Sequence, residues 1–216
     1  VLFLDVDRFK LVNDSLSHAV GDQLLVALAK RIDEVLRPGD TVARIGGDEF
    51  TILLDAVADG RDATVVAERV QSALEAPFRV DGHELRVTAS IGIARSSGSF
   101  GESELLRNAD IAMYDAKRRG GGRCALFDQS MHQRVVKRVA RENDLRQAVE
   151  QSLVEVYFQP IVALDTGALY GIEALARWPD QWPEVAPLEF VTIAEETGVI
   201  GALGLQVLTL ALEALA

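Results

Sequence analysis

Apolar residues along the first part of the chain alternate between short strand-like runs and stripes at helical spacing. Residues 1–4 are uninterrupted hydrophobics ended by Asp5, the mark of a buried strand. Residues 16–36 then place Leu24, Leu25, Leu28, Ile32 and Val35 on one helical face, and Pro38-Gly39 stops that helix. Residues 41–45 and 50–54 read as strands on either side of Gly46-Gly47-Asp48-Glu49, a hairpin, because paired glycines reach the positive φ of tight turns. A helix over 63–75 follows. Residues 78–80 and 85–94 bracket Asp81-Gly82 as a second hairpin, and 102–118 is a third helix closed by Gly120-Gly121-Gly122. With a short strand over 125–127, this order predicts an α/β fold in which helices pack on a sheet.

The pattern changes near Asp128. Residues 129–152 carry Met131, Val135, Val139 and Leu145 as a thin apolar stripe among many charges, which suits a connector helix. Strands over 154–164 and 168–177, joined by Asp165-Thr166-Gly167, precede helices over 188–197 and 200–216. The expected organisation is a first domain over 1–128, a connector over 129–152 and the opening of a second domain over 153–216. Val1 starts inside a strand-like run and Ala216 ends inside a helical one, neither with a cap, which points to a piece of a longer protein.

Composition narrows the functional classes. The 216 residues are 49% hydrophobic and 25% charged, enough to bury a sizeable core. A net charge of -11 argues against a nucleic-acid footprint, which needs a surplus of Lys and Arg. The single cysteine, Cys124, forms no internal disulfide and fits a reducing, cytoplasmic setting. The apolar stretch 199–216 is broken by Gly204, Gln206 and Glu213 and reads as a core helix; a membrane anchor would have to come from segments outside these residues.

The candidate chemistry lies at strand ends and turns. Asp5 and Asp48 are carboxylates on separate elements that a sheet can bring to one metal, and such pairs hold Mg²⁺ on nucleotide phosphates. Gly46 and Gly47, lacking Cβ atoms, let the backbone approach a phosphate chain. Asn13 can both donate and accept hydrogen bonds, and Asp22 can accept them. Taken alone, Gly46-Gly47 is equally well a plain hairpin with solvated acids beside it. A generic GTP-binding domain is disfavoured, because no P-loop is present.

Taken together, Asp5-Val6-Asp7-Arg8-Phe9-Lys10, Asn13-Asp14, His18, Gly21-Asp22 and Gly46-Gly47-Asp48-Glu49-Phe50 resemble the GGDEF family, the bacterial diguanylate cyclases, at that family's spacing. The resemblance implies a nucleotidyl-cyclase palm: a central, mostly antiparallel sheet flanked by helices. It implies condensation of two GTP into cyclic di-GMP with loss of pyrophosphate, in a symmetric homodimer with two Mg²⁺ per GTP site, Mn²⁺ being an alternative. By the same resemblance Asp5, Asp48 and the Val6 carbonyl hold metal, Asp48 and Glu49 are catalytic, and Asn13 and Asp22 contact guanine. Phe9, Lys10, Gly46, Gly47, Lys117 and Arg123 complete the substrate set. Lys117 stands at the family's position, whereas Arg123 follows Gly120-Gly121-Gly122 two residues late. Arg37 and Asp40 match an Arg-x-x-Asp inhibitory site for the cyclic product, while a Pro-Gly turn with Arg at a helix end is the plainer reading. Asp7 and Asp14 read as helix-start and surface residues, and His18 as a structural hydrogen-bonding residue.

Tyr157-Phe158-Gln159-Pro160, Glu173-Ala174-Leu175-Ala176-Arg177 and Ala194-Glu195-Glu196-Thr197-Gly198 resemble the start of an EAL domain, an α/β barrel family that hydrolyses cyclic di-GMP. This implies Glu173 as a metal ligand, with Gln159, Leu175 and Arg177 lining a substrate pocket. The family's other ligands come from later strands that these residues do not include. Two functions therefore stand side by side: a cyclase in a GGDEF-EAL signalling protein, and a silent GTP- or cyclic di-GMP-binding module that regulates an EAL phosphodiesterase.

Overall fold

A computed structural model of the chain describes residues 1–214 apart from 56, 58–59, 97–100 and 179–184. The chain forms two compact units, Val1–Gln133 and Arg134–Ala216.

The first unit is built on a five-stranded sheet. Its elements are β1 (Leu2–Val6), α1 (Phe9–Ser15), α2 (His18–Val35), β2 (Thr41–Gly46), β3 (Glu49–Leu53), α3 (Gly60–Glu75), β4 (Phe78–Val80), β5 (His83–Leu85), β6 (Ala89–Ile93), α4 (Glu102–Arg118) and β7 (Cys124–Leu126). The sheet order is β2-β3-β1-β6-β7, antiparallel except for the β6–β7 pair. This is the mostly antiparallel α/β sheet expected. The stripe Leu24, Leu25, Leu28 and Ile32 of α2 is fully buried with Leu2 and Leu4 of β1 and Ile91 of β6 in one core. Next to central β1, β6 lies so close to α4 that a Cβ on Gly92 would stand 1.9 Å from the Ala109 carbonyl oxygen.

Two sequence expectations are corrected here. The helix expected over 16–36 starts at His18, because Ser17 caps it by accepting a 3.2 Å hydrogen bond from the Val20 amide; the separate seven-residue α1 precedes it. The run 85–94 is two strands. Leu85 closes the small β4–β5 hairpin, and the chain re-enters the central sheet at Ala89, where all five residues of β6 are buried beside β1.

The second unit begins inside α5 (Gln129–Glu150). Expected as a connector, this helix places Leu145, Ala148 and Val149 in a core with Val154, Trp178, Phe190, Ile193 and Leu203. Arg138, also buried, pairs with Glu142 at 2.6 Å and with Glu196. β8 (Glu155–Val162) and β9 (Leu169–Arg177) form an antiparallel ribbon, followed by α6 (Pro187–Glu196) and α7 (Ile200–Glu213). Residues 215–216 of the expected last helix lie outside the described residues. Among the described residues the ribbon is open and closes no barrel, in keeping with a partial EAL domain.

Candidate functional site

The centre of the site is the end of β1. In the β1–β3 ladder Asp5 stands opposite Glu49, and the Val6 amide donates to the Asp48 carbonyl oxygen at 3.3 Å. Sheet pairing thus brings together Asp5, Val6, Asp48 and Glu49 from segments more than forty residues apart in sequence. Asp5 is 6% exposed, and its Oδ1 lies 2.6 Å from Lys117 Nζ at the end of α4. Burial pushes the Asp5 carboxyl above the usual carboxylate range; Lys117 pulls it down, and the negative charges of Asp48 and Glu49 push it up. A buried carboxylate with two like-charged neighbours favours a compact cation, and lysine supplies one here.

The hairpin carrying Asp48 turns at Gly47, whose φ is 52°, and Arg44 steadies it by donating from Nε to the Gly47 carbonyl oxygen at 2.8 Å. A Cβ on Gly46 or Gly47 would meet nothing within 4 Å, so the space before the turn is open. Asn13, on α1, packs its side chain on Gly21 of α2. A Cβ there would sit 1.9 Å from Asn13 Oδ1 and 3.1 Å from the Phe9 ring, so only glycine leaves room. Asn13 Oδ1 is buried without a hydrogen-bond partner, an acceptor left open beside exposed Asp22. The ring of Phe9, a residue expected among the substrate contacts, packs into the core against Gly21, which leaves its backbone at the start of α1 as the part that can meet a substrate. Lys10 is exposed.

The sequence predicts Asp7 as a helix-start residue. Arg8 is the residue that precedes α1, without a side-chain cap, and Asp7 instead binds three partners from distant segments. Its carboxylate accepts from Thr88 Oγ1 at 2.6 Å, Ser90 Oγ at 2.7 Å and the Gly122 amide at 2.8 Å. The latch holds a turn in which Gly120, Gly121 and Gly122 have φ of 107°, 70° and 59°, a run open only to glycine. Past it, Arg123 folds back and donates from Nε to the Gly121 carbonyl oxygen at 3.3 Å. The latch was invisible in sequence because Thr88, Ser90 and Gly122 lie more than eighty residues from Asp7; the glycine run was its only sign. A cleft of about 720 Å³ opens beside this turn, lined by Arg8, Arg86 and Lys117 as well as by Gly120 and Gly121.

Arg37 and Asp40 occupy a separate turn. The Asp40 side chain is fully buried, with Oδ1 accepting from Arg37 Nε at 3.4 Å and from the Asp55 amide at 3.2 Å, while Arg37 also donates to the Asp55 carbonyl oxygen. His18 is exposed at the start of α2.

In the second unit Gln159 on β8 is directly opposite Glu173 on β9, and Tyr157 is opposite Leu175. Since strand residues two apart share a face, Gln159, Glu173, Leu175 and Arg177 all lie on one side of the ribbon. Arg177 stacks its guanidinium 5.3 Å from the centre of the Tyr157 ring. Gln159 and Glu173 are exposed.

Among the described residues no three His, Cys, Asp or Glu side chains converge as a ready metal centre. The donors at β1 still fit a hard divalent cation, because carboxylates and a backbone carbonyl are its preferred ligands and Asp5 sits under the repulsion of Asp48 and Glu49. No helix of the described residues is long and apolar enough to cross a membrane.

Comparison with known proteins agrees with this geometry. The model of the diguanylate cyclase GGDEF domain matches residues 1–123, and that of the EAL domain matches residues 142–216. The bifunctional diguanylate cyclase/cyclic di-GMP phosphodiesterase MucR of Pseudomonas aeruginosa is 41% identical over 207 residues, covering 94% of this chain and 30% of MucR. The cyclic di-GMP phosphodiesterase NbdA of the same organism is 39% identical over 207 residues, covering 94% of this chain and 26% of NbdA. The chain thus spans less than a third of either relative. The structure of the GGDEF domain of YfiN, also from Pseudomonas aeruginosa, superposes with a TM-score of 0.60 at 43% identity, covering 63% of this chain and 80% of that one. With a family model matching more than half its length and the β1–β3 site in place, the chain belongs to the GGDEF family of cyclic di-GMP-metabolising proteins, followed by the start of an EAL domain.

Proposed function

We propose that the first unit is a diguanylate cyclase that joins two GTP molecules into cyclic di-GMP, within a cytoplasmic GGDEF-EAL signalling protein. The observation that carries this reading is the meeting of Asp5, Asp48 and Glu49 across β1 and β3, with Lys117 against Asp5. In this reading Asp5, Asp48 and the Val6 carbonyl hold two Mg²⁺ per site, or Mn²⁺. The bound metal supplies charge neutralisation and Lewis acidity at phosphate oxygens. Asn13 and Asp22 take the guanine edge. Lys10, the open backbone at Gly46-Gly47, and Lys117 take the phosphates, with Lys117 exchanging its carboxylate partner for phosphate oxygen. Glu49, opposite Asp5, accepts the proton of the 3′-hydroxyl. That oxygen bonds to the α-phosphorus of the second GTP as the bond to pyrophosphate breaks, and the step repeats with roles exchanged. Two sites must face one another, so the active species is a symmetric homodimer.

Arg37 and Asp40 form the product-inhibition site. Arg37→Ala should move the inhibition curve for cyclic di-GMP to higher concentration; an unchanged curve removes the assignment.

The second reading is a regulatory module that binds GTP or cyclic di-GMP and controls the EAL domain without turnover. The observation in its favour is the run Gly120-Gly121-Gly122, which sets Arg123 two residues late and ties its Nε to the Gly121 carbonyl oxygen, so that one expected phosphate ligand is partly occupied. Incubating the protein with GTP and Mg²⁺, then separating nucleotides by chromatography, decides between them. A cyclase gives cyclic di-GMP or its linear hydrolysis product, and Asp48→Ala lowers that yield by at least about a hundredfold, the scale of a lost transition-state contact. GTP bound and recovered unchanged would establish the regulatory module.

A further inference from the structure

We infer that Arg8 and Arg86 are phosphate-binding residues of the cleft beside Lys117. The inference rests on the reading of the first unit as a GTP site and names residues within it. The chain carries a net charge of -11, yet this cleft gathers three cations, Arg8, Arg86 and Lys117. Its one acidic lining residue, Asp7, has both carboxylate oxygens engaged by Thr88, Ser90 and Gly122. With three cations to one carboxylate, the lining of the cleft is net positive toward any anion that enters.

The three cations are not equally committed. Lys117 is bound to Asp5 at 2.6 Å. Arg86 makes only a loose pair with Glu84, at 4.0 Å, and its side chain is 74% exposed. Arg8 pairs with no carboxylate among the described residues, and its backbone is left-handed at φ 58° and ψ 25°. An arginine gains nothing from that conformation, which Gly, Asn or Asp adopt more readily. What it does gain is a place on the cleft wall, one residue after the Asp7 latch and across from Lys117's end of α4. Two uncommitted guanidinium groups suit phosphate oxygens, which they bind through paired, charge-assisted hydrogen bonds. Arg123 is not among the residues lining the cleft, and its Nε is occupied by Gly121.

The test is calorimetric binding of α,β-methylene-GTP, which cannot be turned over, and of guanosine, to the protein at its natural length with Mg²⁺ present. Arg8→Gly relieves the left-handed backbone while removing the charge, so it reports on the guanidinium and not on folding. Arg8→Gly and Arg86→Ala should each weaken the analogue about tenfold, the size of one charge-assisted contact, and leave guanosine unchanged. The slope of affinity against salt should fall in both. Wild-type affinity in both variants, with weakening in Arg123→Ala, overturns the inference and leaves the GTP site standing. Equal weakening of analogue and guanosine also overturns it, since the effect is then not on phosphate. Failure of the wild type to bind the analogue removes the GTP site itself.

Discussion

Asp5 and Glu173 are both carboxylates on antiparallel strands, and each has a polar residue directly across the ladder: Glu49 for Asp5, Gln159 for Glu173. Their surroundings differ. Asp5 is on β1, in the middle of five strands, with a core below it and Lys117 against it. Glu173 is exposed on a two-stranded ribbon. Register alone aligns the residues in both places. Of these two carboxylates, only Asp5 has its charge interactions raised by burial, because low dielectric strengthens attraction to Lys117 and repulsion from Asp48 and Glu49 alike. The raised Asp5 carboxyl favours folding while protonated, and that contribution is lost as pH rises through its raised value. Above that value the site carries a charge that opposes folding, which a cationic partner offsets. A two-stranded ribbon needs further strands before it can hold a site in this way.

Glycines give the sharpest way to test the contrast between supported and open sheet. A methyl group at Gly92, in β6, would lie 1.9 Å from the Ala109 carbonyl and 2.2 Å from the Met113 amide nitrogen, both backbone atoms that cannot step aside. Gly92→Ala should destabilise the first unit by more than about 3 kcal/mol. Gly171, in β9, has nothing within 4 Å of the corresponding position, and Gly171→Ala should change stability by less than about 0.5 kcal/mol. Thermal denaturation of both variants measures the difference; equal losses would show that the ribbon is as closely supported as the sheet.

A smaller effect is expected at Gly21, where the atom in the way is the movable Asn13 amide. Gly21→Ala should displace Asn13 and raise KM for GTP about tenfold, the cost of one lost base contact. An unchanged KM would place guanine elsewhere. Of the same order is Asp7→Asn, which keeps the shape of the latch but cannot accept all three of its hydrogen bonds. It should cost about 1–3 kcal/mol in denaturant unfolding. A neutral result would mean that the glycine turn holds itself.

Much of this was readable in the chain. The Gly46-Gly47 hairpin, the stripe of α2 and the span of α4 follow from turn chemistry and 3.6-residue spacing, which are local signals. The strand and hairpin readings also put Asp5 and Asp48 on elements that a sheet could join. What escaped was decided by distant partners or small local choices. The seven residues of α1 are too few to display a period. The break within 85–94 depends on β6 finding β1 and β7. Asp7 has its partners at Thr88, Ser90 and Gly122. For Arg8, only the backbone conformation and the cleft reveal a place in the site.

The account stands most directly on one assay: chromatography of the products from GTP and Mg²⁺, run in parallel on the wild-type protein, Asp48→Ala and Glu173→Ala. It predicts cyclic di-GMP or its hydrolysis product from the wild type, at least as much cyclic product from Glu173→Ala, and none above background from Asp48→Ala. Undiminished product from Asp48→Ala would contradict the assignment of synthesis to the β1–β3 site.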